Sequence, residues 1–89
     1  MWEKEGTIHK LVVPLGRSED ELLLQVWPDP YEGGWCAQLV YYSDFEEVQT
    51  IINKHSGIAD EQSAKDKAKR LLETWVASLQ DATLRISSA

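Results

Sequence analysis

Cysteine is almost missing from this chain of 89 residues, and Cys36, the only one, cannot form an internal disulfide. That removes the class of small secreted domains stapled by disulfide bridges. Basic charge is scarce as well: nine Lys and Arg stand against 15 Asp and Glu, for a net charge of −6. A balance of that sign argues against nonspecific attraction to nucleic acid or to an anionic membrane. No apolar run approaches the roughly 18 residues that a membrane span needs. The opening Met-Trp-Glu-Lys-Glu is followed by no apolar stretch, so it does not read as a signal peptide, and the cytoplasm is the expected location. There is no low-complexity tract and no internal repeat.

What is present points to a single folded domain over residues 1–89, with 1–6 and 82–89 expected to fray. The hydrophobic share is 43%, and four tryptophans are a heavy load for so short a chain. Indole side chains need packing partners, which disfavours disorder. The charge is polarised along the sequence: residues 1–53 carry ten acids and three bases, whereas residues 54–89 carry five acids and six bases.

Period-two alternation predicts four strands. Thr7 to Leu15 sets Leu11, Val13 and Leu15 on one face and Ile8, Lys10 and Val12 on the other. Leu22 to Trp27 is a continuous apolar run, short and ended by Pro28, which reads as a strand apolar on both faces. Residues 28–34, with two prolines and two glycines, form a loop. Trp35 to Tyr42 sets Trp35, Ala37, Leu39 and Tyr41 against Cys36, Gln38, Val40 and Tyr42. Glu47 to Asn53 is strand rather than helix because Val48, Thr50, Ile51 and Ile52 are β-branched, and Gly57 is expected to end the sheet.

A helix follows. Ser63 with Asp66 three residues on fits a capping box, and Asp60 offers an earlier start. Ala64, Ala68, Leu71, Leu72, Trp75, Val76 and Leu79 share an arc about 140° wide at the helical repeat. Thr83 to Ile86 is read as a short strand or a frayed end. The expected architecture is therefore α+β: a four-stranded, mostly antiparallel sheet with one C-terminal helix packed on one face, in the order β-β-β-β-α.

The residues that carry chemistry are few and scattered. His9, His55 and Cys36 show no chelating spacing, so no metal and no other cofactor is expected. Cys36, His55 and Asp44 could compose a nucleophilic site only if the fold gathered them, and a mid-strand cysteine usually packs as a small hydrophobe. Glu19-Asp20-Glu21 lacks the spacing that wraps calcium. No phosphate-cradling glycine loop and no hydrolase motif is present, so the chain is not expected to be an enzyme. Lys65, Lys67, Lys69 and Arg70 are interleaved with Asp66 and spread around the helix, which reads as a solvated surface.

The segment Glu32-Gly33-Gly34-Trp35-Cys36-Ala37-Gln38-Leu39 resembles the glycine-aromatic strand of HicB-like antitoxin domains. The capped helix from Ser63 through Ala68 to Leu72 and Trp75 is similar to the helix that follows in that family. The resemblance implies a partial double-stranded-RNA-binding-domain fold and a role in masking a basic partner such as a nuclease toxin. The functional expectation is a small acidic, non-enzymatic protein-binding module. Its apolar residues on both strand faces suggest a partner or a homodimer, with Leu23, Trp27 and Tyr42 as the candidate surface. The alternative is an RNA-binding module using Lys65, Lys67, Lys69 and Arg70. There the helix start is similar to the Lys-Lys-x-Ala-Lys pattern of double-stranded-RNA-binding domains, with Asp66 where a second lysine would hold phosphate.

Overall fold

The computed structural model describes residues 1–16 and 19–88, with side chains up to Leu79. Five strands form one antiparallel sheet in sequence order: β1 (Glu3–Glu5), β2 (Ile8–Pro14), β3 (Glu21–Pro28), β4 (Trp35–Ser43) and β5 (Val48–Ile58). One helix, α1 (Glu61–Ser88), closes the chain. The protein is thus α+β with a C-terminal helix, as the alternation predicted, and the sheet has five strands rather than four.

The added strand is β1. Gly6 adopts φ +60°, which lets the chain reverse within a tight turn and pairs Glu5 with Ile8 and Glu3 with Lys10. Trp2 anchors this end: it packs against the core, and the Lys65 ammonium lies 5.4 Å from its ring centroid. Within residues 1–6, Glu3–Glu5 pair as a strand and Trp2 is packed, while Met1 is fully exposed. Three charged residues carry no hydrophobic period, which is why the strand was not anticipated.

The strand faces follow the alternation. Leu22, Leu24 and Val26 of β3 and Ala37 and Leu39 of β4 are buried on the helix side, joined by Ala64, Ala68 and Leu71 of α1. Each fully buried Leu or Val contributes about 1.5–3 kcal/mol. Leu11 and Val13 of β2 and Ile52 of β5 pack at the margin.

Three further expectations are refined. β5 does not stop at Asn53 or before Gly57; it continues through His55 and Gly57 to Ile58 by two register shifts, opposite Trp35/Ala37 and Leu39/Val40. These bulges absorb extra residues where the sequence shows no alternation. The helix N-cap is Asp60, the earlier of the two starts, and not Ser63: the Ser63 backbone N–H donates to Asp60 Oδ1 at 2.7 Å, and Ala64 N–H donates to the Asp60 carbonyl at 3.0 Å. Residues 83–86 lie within α1, so no extra strand forms there. The helix, 28 residues and so about 42 Å long, outlasts the core it covers. Its apolar stripe is buried as far as Leu71 and half-buried at Leu72 and Trp75, whereas Val76 and Leu79 are exposed.

Candidate functional site: a hollow on the helix-free face

With α1 over one side, the other side of the sheet presents three rows of side chains, set by the strand register. Val12, Leu23, Val40 and Ile51 line up across four strands. Lys10, Gln25, Gln38 and Lys54 form the next row. Beyond it, Trp27 faces Cys36 across the β3–β4 pair.

The apolar row is largely closed by its own neighbours. Leu23 is 7% exposed and Val40 is 1% exposed, on the face opposite α1. Only the ends of the row, Val12 and Ile51, are open. The Gln row is tied internally, with Gln38 Nε2 donating to Gln25 Oε1 at 2.7 Å.

The third row opens into a hollow of about 590 Å³. Its walls are Ile8, Trp27, Pro28, Pro30 and Tyr31, and its polar lining is Gln25, Gln38, Lys54, Asp29 and Cys36. The Lys54 ammonium sits 5.5 Å from the Trp27 ring centroid. Tyr31 is 94% exposed, so its phenol ring stands at the rim with both faces in reach of solvent.

The loop of residues 29–34 holds this shape by backbone chemistry. Asp29 Oδ1 accepts from the Tyr31 and Glu32 N–H groups at 2.9 and 3.2 Å, and Asp29 N–H donates to the Gly34 carbonyl at 2.9 Å. The two backbone donors hold the Asp29 carboxyl below its ordinary range. The Cys36 thiol, 3% exposed, lies 3.9 Å from Asp29 Oδ2. Burial and then the Asp29 charge raise its pKa, the reverse of what an attacking thiolate needs. Gly33 and Gly34 both adopt positive φ, and a Cβ on Gly34 would stand 2.9 Å from the Ile58 carbonyl oxygen.

Of the three surface residues expected from sequence, Trp27 lines the hollow. Leu23 lies closed in the apolar row, and Tyr42 sits at the far end of β4, opposite Glu21 and Gln49. Cys36 and His55 are not brought together: Cys36 faces the hollow, and His55 pairs with Ala37 on the helix side. Asp44 is at the opposite end, where its N–H donates to Asp20 Oδ1 at 3.1 Å and Tyr41 Oη donates to Asp20 Oδ2. Hydrogen bonding and repulsion from Asp44 raise the Glu19 pKa, so that end of the sheet is crowded with acids. Among the described residues no three His, Cys, Asp or Glu side chains converge as a metal ion would require.

The helix cations divide. Lys65 is engaged by Glu61 Oε2 at 3.3 Å and by Trp2, on the side of β2. Lys67 and Arg70 border a smaller hollow of about 250 Å³ beside Ile58, and Lys69 is exposed. The same helix start holds a cluster not anticipated: His9 Nε2 lies 3.0 Å from Glu61 Oε1, and the His9 ring is tilted 6.0 Å from Trp35. It welds the first helical turn to β2.

Sequence reading gave the loop of residues 28–34 only a turn's role and passed over Tyr31, Pro30 and the Gln pair. The signal was available in part. Gln25 and Gln38 are polar interruptions at the same distance from the two ends of one hairpin, Pro28 and Trp35, and so must face each other.

No family profile, curated protein or solved structure matches this chain. Among the described residues no helix is long and apolar enough to cross a membrane.

Proposed function

We propose that this protein is a non-enzymatic binding module that receives a protein partner on the helix-free face of its sheet, with an apolar side chain of the partner entering the hollow beside Trp27. The observation that carries this reading is the hollow itself: an open concavity with an aromatic wall, proline shoulders and a few polar groups, the usual make-up of a recognition pocket. Trp and Tyr at such places concentrate binding energy. At the other end of the same strands, Glu19, Asp20, Asp44 and their neighbours supply negative charge, which favours a partner that is basic around its apolar anchor. A HicB-like role in masking a basic toxin is one form this takes. Against RNA at Lys65, Lys67, Lys69 and Arg70 stands the split of those cations around the helix, with Lys65 already paired.

The test is an array of extended peptides in which an apolar or aromatic residue is flanked by Lys or Arg, probed with the whole chain. Binding to the selected sequences should weaken about 30-fold in Trp27→Ala and hold in Tyr42→Ala, which lies outside the hollow. An array on which Trp27→Ala binds as well as the native chain overturns the reading.

A further inference from the structure

The sheet has two free edges, and they are built differently. β1 is Glu3-Lys4-Glu5, short and charged, the kind of edge that resists further pairing. β5 is the longest strand, at 11 residues, and among the described residues no strand lies along its outer side. Its first four residues, Val48 to Ile51, pair regularly with β4, and the register shift falls at Ile52. Val48 is 47% exposed and Ile51 is 60% exposed. Of the 15 carboxylate residues in the chain, none falls between Val48 and Ile58. Acids stand just ahead of this stretch, at Glu46 and Glu47, and a base, Lys54, follows its middle. The strand is therefore electrically polar from end to end, with a β-branched centre.

We propose that β5 joins antiparallel to β5 of a second copy of this chain, about a two-fold axis through Thr50, so that two five-stranded sheets become one. An antiparallel two-fold pairing sets a residue opposite its own copy only at the axis, and its neighbours then meet in reciprocal pairs. With Thr50 at the axis, Val48 meets Ile52 of the second copy, and Gln49 meets its Ile51. The faces agree. Val48 and Thr50 pair with Ser43 and Tyr41, Tyr41 and Ile52 pack toward the helix-side core, and Gln49 and Ile51 pair with Tyr42 and Val40 on the helix-free side.

The contacts suit such a seam. Thr–Thr and β-branched cross-strand pairs stabilise antiparallel sheets, and Ile51 lies diagonal to its own copy. The acidic Glu46–Glu47 end of each strand is directed toward the Lys54 end of the other, which keeps the acids of the two copies apart; a parallel alignment would set like ends together. The bulge at Ile52 bends the strand there and limits the seam to the stretch from Val48 to Ile52. The blunt β1 edge leaves no second site for growth, so the assembly closes at two copies. The seam is separate from the Trp27 hollow and does not rest on the function proposed for it.

Sedimentation equilibrium of the native chain from low micromolar to roughly 0.5 mM tests this. The mass should rise from 10.1 kDa toward twice that value. Ile51→Lys, at a position already open to solvent, should weaken association at least about tenfold with an unchanged circular dichroism spectrum. Backbone amide shifts of the native chain, followed against concentration, should move at residues 48–52, a readout that needs no variant. The proposal is overturned by a native chain that stays at 10.1 kDa throughout, by a folded Ile51→Lys that associates as well as the native chain, or by shifts confined to Trp27 and Gln38. Trp27→Ala should leave the mass unchanged, which separates this result from the peptide-array outcome.

Discussion

Cys36 shows how a single residue is tuned by its place. It sits near the start of β4, beside the hollow, nearly closed to solvent, with the Asp29 carboxylate as its polar neighbour. Both burial and that negative charge disfavour the thiolate. Near pH 8 the native thiol should react with a disulfide reagent on the order of 100-fold more slowly than the same thiol in denaturant, and a thiol-release assay in the two conditions measures the ratio. Asp29→Asn removes the charge and should speed the native reaction. A native thiol as fast as the denatured one would show that the loop over Cys36 opens freely.

At the scale of the element, the helix start carries the clearest pH dependence. The Ser63 backbone donor holds the Asp60 carboxyl below its ordinary range, as the Tyr31 and Glu32 donors do for Asp29. A carboxyl with a lowered folded pKa contributes stability that is complete above the ordinary carboxylate range and is lost as pH falls through the folded value, because the unfolded chain takes up the proton first. Glu19 runs the other way: its raised pKa means that acid relieves its repulsion with Asp44. Two lowered groups against one raised group predict a melting temperature that falls between neutral pH and about pH 3. Asp60→Ala should lower the melting temperature by several degrees at neutral pH and flatten this acid dependence, with Asp60→Asn close to native at neutral pH because it keeps a capping acceptor. Thermal scans by circular dichroism across pH check both. The elements were also where sequence was most and least informative. Alternation set Ala37 and Leu39 on one face of β4 against Cys36 and Gln38 on the other, and the first pair is the one buried under the helix. It was silent on β1, whose three charged residues are held by Gly6 and by Trp2 packing, and on residues 53–58, which are strand only because bulges let β4 accept them. The hollow was harder still, since it arises from hairpin register plus a loop conformation fixed by Asp29, neither of which has a period to read.

For the whole molecule, stability rests on one thin layer between α1 and the β3–β4 pair. Leu39 is completely buried there, in one cluster with Ala64, Ala68 and Leu71 of the helix. Leu39→Ala should cost about 3 kcal/mol through lost burial and the cavity left behind, a large part of the 5–15 kcal/mol typical of a domain. Urea unfolding should show a lower midpoint with an unchanged slope, since the same surface is exposed on unfolding. The overall dimensions, 47 × 26 × 22 Å, reflect a helix longer than the layer it seals. The loop that walls the hollow and the approach to the helix meet at one peptide. Gly34, at the end of the loop that walls the hollow, abuts the Ile58 carbonyl, and Ile58 lies two residues ahead of the Asp60 cap. A side chain at position 34 would therefore press on the peptide that leads into the helix, so the absence of a Cβ there sets how closely the two connections can lie.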